Sequence, residues 1–426
     1  MSLAQARQTG TLERLSSMEL PQTGWSAPAR RDALDRLTLM GLPARRDEYW
    51  KYTRPDTLTS ADVLQTAVQE DTEGSIFEAL DCHKLVFVDG VYSEVLSDGL
   101  TVDGAALELL SLTSDVDVHW AKGLYASLEK SGQDPVARSL AAFNSAFAQE
   151  GILLHVKKTP DKPVSLHYVN GSETSDVILH HLVKVDAGAS VTILESGAVA
   201  ARCNMTIEAE IDKDAQLHHI RAQVRHQERR AVTHVFARLE EQSKFKSFTL
   251  TMNGLLTRNE TVIEMRGDDG LAHVAGASLG DGNFHHDDTV FITHDALRGE
   301  SRQVFKKVLR NGATGVFQGK ILVKPDAQKT DGYQISQSLL LDDDSQFLAK
   351  PELEIYADDV ACSHGSTSGA IDEEALFYMR ARGVPVEEAT NLLTLAFLAE
   401  ALGEVDNDDI ADLINDRLEG WLKKGR

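Results

Sequence analysis

The spacing of apolar residues changes twice along the chain, from about 3.6 to 2 and back to about 3.6. Ala4, Leu12 and Leu15, then Ala33, Leu34, Leu37 and Met40, recur at helical intervals. Pro21, Gly24 and Pro28 separate the two groups, and Gly41-Leu42-Pro43 ends the second, which predicts two helices within residues 1–40. Leu85-Val86-Phe87-Val88-Asp89-Gly90-Val91-Tyr92 reads as strand, turn and strand, a hairpin. Residues 105–149 carry a helical pattern. Asp134-Pro135 opens the last helix there, with Val136, Leu140, Phe143, Ala146 and Phe147 on one stripe.

From Gly151 the period is two. Ile152–Val156, Val164–Val169 and Val177–Val185 alternate as strands, and similar runs continue to Ile355, with Pro351–Tyr356 the last clear one. No helical pattern interrupts about 200 residues, far beyond an ordinary strand-rich stretch. Within them an apolar residue, a polar turn and a second apolar residue six positions on recur. The pairs are Val185/Val191, Ile211/Leu217, Leu239/Phe245 and Met265/Leu271, at intervals of 26, 28 and 26. Hairpins in a sandwich need no constant interval, whereas a coil stacked on itself does. The expectation is a mainly β protein with a solenoid core rather than a sandwich.

After that the helical period returns. Asp372-Glu373-Glu374 loads a first turn with acids, and Arg380-Ala381-Arg382-Gly383 closes it. A second helix opens at Pro385. Its face of Val386, Ala389, Leu393, Ala396 and Phe397 is widened by Leu392, Leu395 and Leu398, more apolar girth than one-sided packing needs. A third runs from Asp408 to Lys424. The expected division is 1–150 helical and mixed, 151–365 solenoid, and 366–426 helical.

Composition removes several function classes. Aromatics are 6% of 426 residues, which argues against a surface that stacks sugars or bases, and so against a β-helical polysaccharide lyase. Acids outnumber bases 66 to 43, a formal charge of −23 that repels nucleic acid and anionic membrane. Cys82, Cys203 and Cys362 have no CxxC spacing, so reduced thiols are expected. Met1–Leu20 lacks a signal-peptide apolar run and no membrane-length apolar stretch occurs, so the expected location is the cytoplasm. Arg45–Thr53, with Tyr49, Trp50 and Tyr52, reads as a packed aromatic corner.

Candidate chemistry concentrates in Asp358–Gly369, where strand geometry puts Cys362 and His364 on one face. A thiol and an imidazole could act as nucleophile and base, or as ligands for iron. Against the first, no GxSxG or P-loop sequence occurs, and Gly312-Ala313-Thr314-Gly315 is too short a glycine signal for a nucleotide. One Cys and one His do not complete a four-ligand site, and a site shared between subunits would. Cys362 also fits a small buried apolar position. His180-His181, His218-His219, His226, His234, His273, His285-His286 and His294 read as half-buried or surface strand residues. Of these, His285-His286 with Asp287-Asp288 is the best metal candidate.

Several segments together resemble the SufB/SufD iron–sulfur cluster assembly family. They are Gly315-Val316-Phe317-Gln318-Gly319-Lys320-Ile321, Ala327-Gln328-Lys329-Thr330-Asp331, Leu339-Leu340-Leu341, Pro351-Glu352-Leu353-Glu354-Ile355, Cys362-Ser363-His364-Gly365, Leu376–Gly383 and Glu388-Ala389. Gly365-Ser366-Thr367 after His364, and Gly41-Leu42-Pro43 with Glu48–Thr53, are similar to the SufD branch; Ser366 departs from that branch's usual Ala. The resemblance implies a right-handed parallel β-helix between helical N- and C-terminal parts. It implies a non-catalytic scaffold that pairs with SufB and binds the ATPase SufC, or forms a homodimer when alone. Neither nucleic acid nor membrane is an expected partner. His364 would lie at the SufB interface as an iron ligand shared with SufB, with Cys362 a nearby candidate. Leu376, Phe377, Leu392, Leu393 and Phe397 would dock the ATPase. An iron–sulfur cluster would be carried transiently with SufB, with none bound stably by the chain alone. Reduced flavin is associated with such complexes, although the chain holds no flavin motif.

Overall fold

The structure is a computed structural model and describes residues 3–68, 75–113, 115–223 and 228–424. Two ten-stranded sheets face each other. From Val164–Val169 onward, successive strands alternate between the sheets. Strands two apart in the chain pair in parallel, from Val164–Val169 with Ser190–Gly197 to Asp331–Leu340 with Ala361–Gly369. The result is a β-solenoid of about 7 turns flanked by helices.

The corners explain the interval. Gly188, Asp214, Gln242, Asp269, Arg298 and Lys329 all have positive φ, between 56° and 75°. The N–H of Gly188 donates to Lys213 O (3.0 Å), Asp214 to Glu241 O (2.9 Å), Gln242 to Asp268 O (2.8 Å) and Asp269 to Leu297 O (2.9 Å). A left-handed conformation costs a non-glycine residue about 1–2 kcal/mol. The inter-turn bond offsets that cost, and the sheet hydrogen bonding continues round the bend. Of these six left-handed positions only the first is glycine, so residue type alone does not mark where the chain turns.

The fourth expected pair is off by one residue. Ala272, not Leu271, is in register with Phe245, because this corner holds one residue more. Two further copies escaped the template: Ser301 is in register with Ala272 and Gly332 with Ser301, polar or absent side chains where it required apolar ones. Another strand follows Pro351–Tyr356, since Ala361–Gly369 is itself paired.

The inner faces form one core from Leu85 and Phe87 to Phe305 and Phe317. The expected hairpin is present: His83–Val88 pairs antiparallel with Val91–Tyr92 and parallel with Val164–Val169. Helix over 105–149 is mostly not observed. Ala105–Leu109 is a strand antiparallel to Ile152–Val156, and the helices there are Ser127–Ser131 and Ser139–Phe147. The first full coil needs a partner for its outer edge, and that demand overrides an ambiguous apolar spacing. Ser139–Phe147 is buried on every side rather than along one stripe. The helices Leu3–Leu15 and Ala27–Met40 form as expected, but Pro28 sits in the first turn of the second instead of in the break. Trp50 is buried with the Arg258 guanidinium 4.3 Å from its ring centre, so the aromatic corner is a packed one.

Helices cover both outer faces. Phe143, Phe147 and Leu37 pack with Val232 and Leu256 on one sheet. Leu398, Ala401, Ile414 and Leu418 pack with Ile220, Phe248, Leu250 and Val308 on the other. The last strand, Ala361–Gly369, extends beyond residue 365 before Glu373–Arg380 begins.

Phe245 lies at the centre of the solenoid, 0% exposed, whereas Leu39 is 90% exposed. Phe245→Ala should lower unfolding free energy by about 3–5 kcal/mol and Leu39→Ala by less than about 0.5 kcal/mol, read from urea unfolding. A second test uses Glu208, buried between sheet and helix with Leu128 N donating to it (3.1 Å). Burial pushes its carboxyl up to about 8 against the pull of nearby backbone N–H groups. The folded state therefore holds a proton that the unfolded state releases above its ordinary carboxylate pKa. Stability present at low pH is lost as pH rises through the folded value. Glu208→Gln should flatten this loss, worth up to about 1.4 kcal/mol per pH unit between about pH 5 and pH 8, in unfolding measured across pH.

Candidate functional site

The solenoid ends differently at its two ends. At the start, short antiparallel strands close both sheets: Val91–Tyr92 on one, Thr101–Val102 with Ala105–Leu109 on the other. At the finish, Gln346–Ile355 and Ala361–Gly369 are the outermost strands of their sheets, each paired on one side only among the described residues. Cys362 and His364 stand on this last coil. Ser336 Oγ donates to Ser366 Oγ (3.2 Å) and Ser338 Oγ to Ser368 Oγ (2.9 Å), which places the even-numbered residues of the final strand over inward-facing ones. Cys362 and His364 therefore share the inner face, as strand geometry predicts.

Their surroundings differ. Cys362 is opposite Gly332, and a Cβ on that glycine would lie 3.2 Å from Cys362 Sγ. The thiol is half-buried against Ile321, Val323, Ala327 and Ala357, the last rung of the core. Burial pushes its pKa up, while a backbone hydrogen bond from Gly332 acts the other way. His364 is exposed and in register with Gln334, and its imidazole makes no hydrogen bond among the described residues. The carboxylate of Asp359 pairs with Lys329 (3.1 Å) across the corner. Among the described residues no group of three His, Cys, Asp or Glu side chains could hold a metal ion.

That finding removes His285-His286-Asp287-Asp288 as a metal centre. Strand alternation splits the four. Asp287 pairs outward with Arg258, and His285 Nε2 lies 3.0 Å from Thr53 Oγ1. Inside, Asp288 accepts from Lys307 Nζ (2.6 Å) and lies 3.3 Å from His286 Nε2. The other strand histidines are more buried than expected. His180, His181, His219, His234, His273 and His294 are buried, and His218 and His285 are half-buried; His226 lies outside the described residues.

Sequence reasoning missed a polar chain inside the solenoid. Tyr168 OH and His219 Nε2 both reach Glu195 (2.7 Å each), as does Arg221 Nε (2.7 Å). Arg221 donates to Thr233 Oγ1 (2.8 Å), Thr233 to Asn259 Oδ1 (2.8 Å), and Asn259 Nδ2 lies 3.1 Å from His286 Nε2. Burial alone would raise the Glu195 pKa, but Arg221 and His219 hold it well below the ordinary carboxylate range. The signal was present as charged residues on inward strand positions, but no one strand shows which positions are inward.

Of the five expected docking residues, Phe377 is 73% and Leu392 46% exposed. Leu376, Leu393 and Phe397 are half-buried. Phe397 is already engaged, with Lys306 Nζ 4.9 Å from its ring centre. Val386, part of the wide apolar face expected on this helix, is exposed beside them, and so is Tyr378. A groove of about 460 Å³ runs past Leu392 and Leu395 to Leu422. Another of about 760 Å³ lies near Arg7, Leu39 and Arg46 and has no aromatic side chain in its lining.

Fold and site together define a helix-flanked β-solenoid that ends in an uncapped coil bearing one thiol and one imidazole. Residues 167–397 match the SUF system FeS cluster assembly, SufBD core domain, and residues 20–165 the SufBD protein N-terminal region. The chain belongs to the SufBD family, as a SufD-like iron–sulfur cluster assembly protein. It is 28% identical to the iron–sulfur cluster assembly protein SufD of Escherichia coli K12, covering 94% of each chain. It is 26% identical to a SufBD family protein of Synechocystis, over 88% of this chain and 86% of that one. It is also 26% identical to SufD of Bacillus subtilis, over 69% of each. No helix among the described residues is long and apolar enough to cross a membrane.

Thiol reactivity tests the burial assigned here. Burial pushes Cys203 up to about 12 and raises Cys82 and Cys362 less far. At pH near 8, iodoacetamide should leave Cys203 unmodified in the folded chain. It should modify Cys82 and Cys362 more slowly than free cysteine, with all three reacting in denaturant, as read by mass spectrometry.

Proposed function

We propose that the chain is a non-catalytic scaffold subunit that pairs with a SufB protein through its last coil and takes up the ATPase SufC on its C-terminal helices. The observation that carries this reading is the uncapped end, where two strands keep one unpaired edge each and Cys362 and His364 stand beside them. An unpaired edge is a template for another chain. His364 offers iron one ligand and Cys362 at most a second, so the remaining ligands come from the partner. The cluster is cargo of this shared site, built there and passed on.

The helices supply the second contact. Phe377, Tyr378, Val386 and Leu392 present an apolar surface bordered by Glu373, Glu374, Glu387 and Glu388. ATP-driven approach of two SufC copies would pull on these helices and strain the edge-paired coils. The interface would then open and admit iron and sulfide to His364 and the partner's thiols.

Anaerobic co-expression with SufB and SufC tests both contacts. His364→Ala should leave the complex intact and lower its iron by at least about tenfold, a loss that even outer-shell partners of a metal can cause. Unchanged iron would remove His364 from the site. Phe377→Asp with Leu392→Asp should abolish SufC co-purification and spare SufB pairing. Retention of SufC would move its docking surface elsewhere.

A further inference from the structure

Gln303, Gln334 and His364 occupy one position in three successive turns, Gln303 in register with Gln334 and Gln334 with His364. Both glutamines are 0% exposed, and among the described residues none of their four amide atoms has a hydrogen-bond partner. Removing N–H and C=O groups from water without replacing their hydrogen bonds is unfavourable, and buried amides are nearly always paired. Two orphaned amides stacked directly beneath an exposed imidazole therefore call for a partner.

The opposite sheet makes room for them. A Cβ on Gly319 would fall 2.1 Å from Gln334 Nε2 and 2.8 Å from Gln303 Oε1, so any larger residue would displace both amides. The nitrogen of Gln334, not its oxygen, is the amide atom nearest Gly319. Gln334 Oε1 is without a partner among the described residues, and His364 is the next residue of the stack, on its open side.

We propose that Gln334 is the positioning residue for His364. Its Oε1 accepts a hydrogen bond from Nδ1–H when the imidazole rotates inward. This fixes the Nδ1–H tautomer and leaves the Nε2 lone pair directed to the open end. Imidazole ligands are ordinarily held in this way, with the ring N–H that does not face the metal bound to an acceptor. Gln303 braces Gln334 from the turn behind, over the space that Gly319 leaves. The role as metal-ligand support rests on the reading of His364 given above; the hydrogen bond itself does not.

Nitrogen chemical shifts of the full chain labelled with ¹⁵N-histidine, at a pH where the ring is neutral, report the tautomer. His364→Ala assigns the signal. The wild-type chain should show the Nδ1–H form. Gln334→Met, of similar length but without hydrogen-bonding atoms, should return His364 to the Nε2–H form favoured by free imidazole in water. Gln334→Glu keeps an acceptor oxygen and should keep the Nδ1–H form. In the complex with SufB and SufC, Gln334→Met should weaken iron retention by about 10–100-fold. An Nε2–H signal in the wild-type chain alone would overturn the proposal, whether or not the variants fold, as would one tautomer shared by wild type and a folded Gln334→Met. If the tautomer fails to respond while His364→Ala loses iron, the positioning role falls and the reading of His364 stands. The converse result removes the reading and leaves the hydrogen bond.

Discussion

Parallel pairing from turn to turn holds this molecule together, and the described residues leave it incomplete at the last coil. Each coil satisfies the backbone groups of the coil before it, including at corners where Asp214, Gln242 and Asp269 accept a left-handed conformation to keep the bonding continuous. At the first coil the chain turns back and caps itself with antiparallel strands. At the last coil, Gln346–Ile355 and Ala361–Gly369 keep one unpaired edge each. An edge of that length invites pairing with another chain. The same incompleteness leaves Cys362 half-buried and His364 exposed. The candidate site and the interaction surface are consequences of a single unfinished sheet.

The interior adds a second constraint. Inward positions are apolar near the corners but polar along the middle, where Glu195, His219 and Arg221 lead towards Asn259, Asp288 and Lys307. Buried charges persist only where each is paired, because desolvation otherwise exceeds what the pair returns. Here every named charge has its partner. The stack that ends in His364 breaks this rule at Gln303 and Gln334, which is why that place, rather than the better satisfied network, draws a functional argument. The helices complete the arrangement by covering the two outer faces. The last coil's edge and the apolar side chains of Phe377 and Leu392 are left uncovered by the described residues.

Much of the fold was legible because its signals are local. Alternation at Ile152–Val156 and Val164–Val169, the Asp89-Gly90 turn and the 26–28 residue recurrence each follow from a few neighbouring side chains. The failures were also local. Ala105–Leu109 has a spacing that suits helix or strand, and the edge it had to cap decided between them. Leu271 was placed inside by a rule of six, and an extra corner residue put Ala272 there instead. His285–Asp288 resembled a ligand cluster until alternation sent neighbouring side chains to opposite faces.

By itself the sequence determined that the centre is a coil of stacked strands, that helices flank it, and that Cys362 and His364 share a face. Period and corner chemistry are set by residues close together in the chain, so they can be read without the fold. Tertiary structure alone decided which face that is, that Cys362 closes the core over Gly332, and that His364 lies above two unpaired amides on the last, uncapped rung. Those facts depend on register between residues about 30 positions apart, which pairing between turns establishes and no single strand encodes.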